Sequence, residues 1–149
     1  MRHWMSALAV IGAILVAAPA VNAQTPPAAA QTAPTTIKGA TTVDAEKIIT
    51  LIDSTKDLVI IDNRRPEDYG AGHLEGAIRV LDTDLTPAKL AELVPAKDRP
   101  CLFYCNGLAC GRAAKAAEMA VGLGYSKVYY YALGMDEWKK LGLPLTIAQ

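Results

Sequence analysis

The chain has 149 residues, 52% of them hydrophobic, and its 15 Lys and Arg are matched by 15 Asp and Glu. That balance excludes a large net positive charge and implies neither a nucleic-acid surface nor an anionic-membrane surface. Three cysteines, at positions 101, 105 and 110, lie too close together to staple a domain. Being odd in number, they leave at least one thiol free or paired outside the chain, which argues for chemistry over stapling.

The chain opens on a targeting pattern. Arg2 and His3 precede an uncharged apolar run over residues 5–18, and Ala18-Pro19-Ala20 and Val21-Asn22-Ala23 both offer small residues at cleavage spacing. This predicts a secretory signal peptide over residues 1–23, cut after Ala23 or Ala20, and a periplasmic location. The apolar run is short for a membrane span, so no stable membrane insertion is expected after cleavage. Cleavage would remove one basic residue, Arg2, leaving 14 basic against 15 acidic groups, a net of −1. Residues 24–36 carry three prolines among Ala, Gln and Thr. Without apolar periodicity they are expected to form a flexible tether. Residues 37–149 then suffice for a single domain with one core.

Residues 37–42 are expected to open the domain as a short strand. A helix follows over residues 43–54, with Ala45, Ile48, Ile49 and Ile52 on one face and Asp44 and Glu46 in its first turn. Residues 58–62, Leu-Val-Ile-Ile-Asp, form the unbroken apolar run of a strand buried on both faces. A polar turn over residues 63–69 leads to a short helical piece, and residues 77–80 read as a strand. Thr86 followed by Pro87 marks a helix start, and that helix ends before Pro95. Residues 101–104 form another strand, residues 113–123 an alanine-rich helix closed by Gly122 and Gly124, and residues 127–131 the last strand. A helix over residues 134–140 carries Trp138. Strands alternating with helices call for a mostly parallel sheet covered on both sides. Ligands bind such sheets at the carboxyl ends of the strands, where Asp62 and Cys105 both fall.

The stretch Cys101-Leu-Phe-Tyr-Cys105-Asn-Gly-Leu-Ala-Cys110-Gly-Arg112 carries the chemistry. A strand delivers Cys105 into a glycine-bearing loop that ends at a helix start. Backbone N–H groups there are expected to point at the sulfur and favour thiolate over thiol. The bland alternative is a buried, inert cysteine. Cys110 is read either as a resolving thiol for Cys105 or as a small loop filler, and Cys101 as a packing residue. His73, between Gly72 and Gly76, is read as structural in preference to a general base. Tyr129 to Tyr131 alternate faces as core and rim, and the cysteines lack metal-ligand spacing.

Several motifs now stand in order: Asp62-Asn-Arg64-Arg-Pro66-Glu67-Asp-Tyr69; Gly72-His73-Leu-Glu-Gly76-Ala77; Tyr104-Cys105 and its loop; and Ala116-Ala117, Gly124-Tyr125, Val128, Gly134, Trp138 and Gly142-Leu143-Pro144. Together they resemble the rhodanese-like (sulfurtransferase) domain over nearly all of residues 37–149. The resemblance implies an α/β three-layer domain, a mostly parallel central sheet with helices on both faces. It implies a catalytic Cys105 that takes sulfane sulfur from a small-molecule donor such as thiosulfate. Cys105 would hold that sulfur as a persulfide and pass it to a cyanide or thiol acceptor, a protein thiol included. The covalent persulfide takes the place of a cofactor. Asn106, Gly107, Leu108, Ala109, Cys110, Gly111 and Arg112 would form the active-site and substrate-binding loop, with Arg112 as its one cation. Asp62 and Arg64 would support the fold around it. Six residues separate Cys105 from Arg112, more than in the family's short sulfurtransferase loops or its phosphatase-like ones, and Ala113 stands where many relatives have serine. A wider pocket with less positive charge toward a dianion is therefore expected. Two rival readings remain open: a periplasmic thiol–disulfide redox protein using Cys105 and Cys110, and a non-catalytic rhodanese-like binding module.

Overall fold

The computed structural model describes residues 32–147, so the expected signal peptide and most of the tether lie outside the described residues. Five strands form one sheet: β1 (Thr41–Thr42), β2 (Val59–Asp62), β3 (Ile78–Arg79), β4 (Cys101–Tyr104) and β5 (Val128–Tyr131). Their order is β1-β5-β4-β2-β3 and every neighbouring pair is parallel. The helices are α1 (Ala45–Ser54), α2 (Pro66–Gly70), α3 (Pro87–Leu93), α4 (Arg112–Gly122) and α5 (Gly134–Lys140). Among the described residues no helix is long and apolar enough to cross a membrane.

Alternation along each strand divides the core into two layers. Val59, Ile61, Cys101, Phe103, Val128 and Tyr130 face α3 and α4 on one side. Ile60, Leu102, Tyr104 and Tyr131 face α1 and α5 on the other. The expected three-layer α/β domain is the observed architecture. Successive strand residues point to opposite faces, so an unbroken apolar run is what a strand covered on both sides needs. The face of α4 against the sheet is nearly all alanine: Ala113, Ala114, Ala116, Ala117 and Ala120 are buried. Small side chains let that helix approach β4 and β5 closely.

Three boundaries differ from expectation, each for a local reason. The opening strand shrinks to Thr41–Thr42 because residues 37–40 close a turn, with Ala40 N–H donating to Ile37 C=O and Gly39 at φ +87°. The first helix starts at Ala45 because Asp44 is its cap: its Oδ1 accepts from Lys47 N–H at 2.8 Å, a contact worth about 1 kcal/mol. Val43 stays outside the helix and its N–H donates to Tyr130 C=O. Lastly, the end of the expected tether is not loose. Ala33 is buried, its N–H donates to Leu108 C=O at 2.6 Å, and Pro34 C=O accepts from the Tyr130 hydroxyl at 2.9 Å. Packing begins by Ala33, ahead of the expected boundary at residue 37.

Candidate active site

Strands β2 and β4 are adjacent and in register, Asp62 beside Tyr104, so their carboxyl ends open on the same edge of the sheet. Cys105 follows β4 directly and is buried, with 2% of its surface exposed. Its sulfur is bonded to Cys110 across a Cα–Cα distance of 6.2 Å, a separation ordinary for disulfides. Cys110 is only half-buried. Arg112, in the first turn of α4, donates from Nη1 to Cys110 Sγ at 3.2 Å and to Cys105 Sγ at 3.6 Å. On its other side Arg112 Nε lies 3.9 Å from Asp82 Oδ1, and Lys115 Nζ lies 4.0 Å from Asp82 Oδ2.

The loop is held from three directions. The start of α5 docks on it, Met135 N–H donating to Cys105 C=O at 3.0 Å and Asp136 N–H to Asn106 C=O at 2.7 Å. The Asn106 amide donates to Asp68 on α2 at 3.1 Å, and the segment at Ala33 holds Leu108 C=O. Two glycines permit these approaches. A side chain at Gly134 (φ +55°) would run into Cys105 C=O and the Asn106 backbone, and one at Gly107 into the Asp136 carboxylate.

Below the loop lies a buried ionic network. Asp62 accepts from Arg64 Nε at 2.9 Å, from Arg64 Nη2 at 2.6 Å and from the Tyr104 hydroxyl at 2.5 Å. Arg64 Nη2 also donates to Gly72 C=O at 2.8 Å, and Leu74 N–H to the Tyr104 hydroxyl at 3.2 Å. Burial works against the guanidinium charge, but the hydrogen bond and charge of Asp62, with help from Tyr104, more than offset it, and Arg64 lies above its ordinary range. The Tyr104 phenol is driven upward by burial and by Asp62. The network ties β2, β4 and the loop at residues 72–74 together and leaves the cysteine sulfurs to Arg112.

The rhodanese-like domain model matches residues 44–141, close to two-thirds of the chain. The chain belongs to the rhodanese-like family. A sulfurtransferase of Allochromatium vinosum is 28% identical over 103 residues, covering 69% of this chain and 92% of that protein. The uncharacterised protein YibN of Escherichia coli K12 is 30% identical over 105 residues, covering 66% of this chain and 71% of its own length. The thiosulfate sulfurtransferase of Pseudomonas aeruginosa superposes with a TM-score of 0.60 at 25% identity, covering 75% of this chain. The present chain spans only 21% of that larger protein.

Within this rhodanese-like domain the expected loop residues, Cys105 to Arg112, do converge on one place, with Asp62 and Arg64 beneath them. In this disulfide-bonded form no loop amide among the described residues is hydrogen-bonded to the Cys105 sulfur. Among the described residues its donor is Arg112, while Cys110 N–H donates to Gly107 C=O at 2.9 Å. In the disulfide form residues 107–110 make a turn that uses the Cys110 amide within the loop. His73 stacks on Tyr69 with ring centroids 3.7 Å apart and exchanges backbone bonds with Thr146, a structural role. Cys101 is free and buried. Asp68, Asp82, Gly134, Asp136 and Ala33 had not been singled out for the site. Their one sequence signal is the glycine at the head of α5, since the rest act across long separations. Among the described residues no group of three His, Cys, Asp or Glu side chains could hold a metal ion.

Proposed function

We propose that this rhodanese-like protein is a periplasmic sulfurtransferase whose reduced Cys105 carries sulfane sulfur. The observation that carries the reading is a cysteine at the end of a central strand with a guanidinium set against its sulfur. The Cys105 thiolate attacks the outer sulfur of a donor such as thiosulfate. One sulfur–sulfur bond forms, another breaks, and sulfite departs with its electron pair. Arg112 offers its charge to the anionic donor and to the resulting persulfide. The persulfide then yields its outer sulfur to cyanide or a thiol. Transfer starts from the dithiol form, because in the disulfide Cys105 is both buried and already bonded.

The test is intact-protein mass spectrometry of the reduced chain before and after thiosulfate. The expected result is a gain of one sulfur atom, removed by cyanide and abolished in Cys105→Ser. If Cys105→Ser gained the same sulfur, Cys105 would not be the carrier. The disulfide itself favours a second reading, a thiol–disulfide exchange protein. That reading expects no sulfite from thiosulfate and a two-hydrogen mass difference that either Cys105→Ser or Cys110→Ser removes.

A further inference from the structure

We infer that Cys110 is a resolving thiol that discharges the Cys105 persulfide as sulfide, making the domain a sulfane-sulfur reductase as well as a carrier. The inference rests on the sulfur-transfer reading above. Its step balances without an added oxidant. The Cys110 sulfur attacks Cys105 Sγ, forming the Cys105–Cys110 bond as the bond from Cys105 Sγ to the outer sulfur breaks. The outer sulfur leaves as HS⁻, taking the electron pair of the broken bond and the Cys110 proton. The sulfane sulfur is thereby reduced by two electrons and the two thiols are oxidised to the disulfide. An external dithiol then restores both thiols, completing the cycle.

Three features of the loop support this direction. First, the loop brings Cys110 Sγ onto Cys105 Sγ itself, the inner atom of a persulfide, and attack there expels sulfide. Attack one atom further out would merely move the sulfur to Cys110. Second, Arg112 Nη1 reaches both sulfurs, at 3.2 and 3.6 Å, so one guanidinium serves the attacking and the central atom of the displacement. The charge that spreads along three sulfurs as the bond exchanges is stabilised by a group already in place. Third, Cys105 is buried whereas Cys110 is half-buried, so the tethered thiol is favoured over an external one at Cys105, and a reducing dithiol meets Cys110 first.

The experiment is a single turnover. The full chain is reduced, freed of reductant without air, and given one equivalent of thiosulfate, and sulfite, sulfide and intact mass are followed together. Wild type is expected to release sulfite and sulfide in equal amounts and to end two hydrogens lighter, with sulfide following sulfite in a step whose rate is independent of chain concentration. In Cys110→Ser, each sulfite released should be matched by one added sulfur retained on Cys105, with sulfide at background. That sulfite burst also certifies that the variant is folded, and Cys110→Ala provides a second check. Sulfite without sulfide in wild type would overturn the inference while leaving the sulfur-transfer reading intact. Equal sulfide from Cys110→Ser would overturn it too, as would loss of the sulfite burst in both Cys110 variants. No sulfite from wild type would remove the sulfur-transfer reading and the inference with it.

Discussion

Arg112 sits between two sulfurs on one side and the Asp82 carboxylate on the other. In the proposed reaction it would have a double task, to attract an anionic donor and to steady sulfur-borne charge, and Asp82 would subtract from the first. Both groups are partly exposed, so the pair is screened and worth at most about 1 kcal/mol. Asp82→Asn is therefore expected to lower KM for thiosulfate by up to about fivefold with little change in kcat. The gain should shrink as ionic strength rises, since salt screens a dianion approaching an exposed cation. Steady-state kinetics at two salt concentrations check this, and an unchanged KM at low salt would mean that Asp82 does not hold back Arg112. The residues proposed to carry this chemistry can be singled out from the sequence. Cys105 ends an apolar strand run, Cys110 shares its loop, and Arg112 is the loop's only cation. Asp82 was not legible, because nothing in a sequence says that a carboxylate thirty positions earlier lands beside that guanidinium.

At the scale of elements, the site depends not only on α4, which carries Arg112, but also on α5. This seven-residue helix presents the N–H groups of Met135 and Asp136 to the carbonyls of Cys105 and Asn106. First-turn amides have no partner within their own helix, so the loop satisfies α5 while α5 fixes the loop. Gly134 is what lets the two backbones touch. Gly134→Ala adds a side chain at positive φ and drives it into the Cys105 carbonyl, so a loss of about 1–3 kcal/mol in urea unfolding is expected. Persulfide formation should slow as well, because Cys105 would be displaced from Arg112. If the variant kept full stability, the close approach of α5 would not constrain the loop. The elements themselves were largely readable: Thr86 caps α3 as expected and the alanine-rich segment forms α4, whereas Asp44, expected in the first turn of α1, is its cap. What periodicity does not carry is docking. The segment at Ala33 has no pattern of its own, yet it is bonded to Leu108 C=O in the loop, and its composition alone reads as a linker.

Across the whole molecule, the core buries one thiol and several phenols in their neutral forms, which makes the fold sensitive to alkali. Cys101, at the start of β4 and fully buried, is pushed up from 9.0 to about 12 by burial. Tyr104 and Tyr131 rise for the same first reason, each with a carboxylate nearby adding to the effect, and Tyr130 moves in the same direction. For each of these groups the native pKa exceeds the unfolded one. The native state thus holds protons that the unfolded state releases, and stability falls as pH rises. The stabilisation is complete below pH 9 and is lost first through Cys101, by about 1.4 kcal/mol per pH unit once the unfolded thiol ionises. The tyrosines steepen the fall above their ordinary value of 10.0. A background of Cys105→Ser with Cys110→Ser removes the disulfide and leaves Cys101 as the single thiol, so exchange cannot confuse the measurement. In that background, urea unfolding free energies between pH 7 and about 11 should be flat at first and then decline from about pH 9. Adding Cys101→Ala lowers the whole curve by a pH-independent cavity cost and delays the decline until the tyrosines ionise. The slope between pH 9 and 10 is the quantity that decides. Equal slopes with and without Cys101 would mean that its thiol is not held protonated by the core.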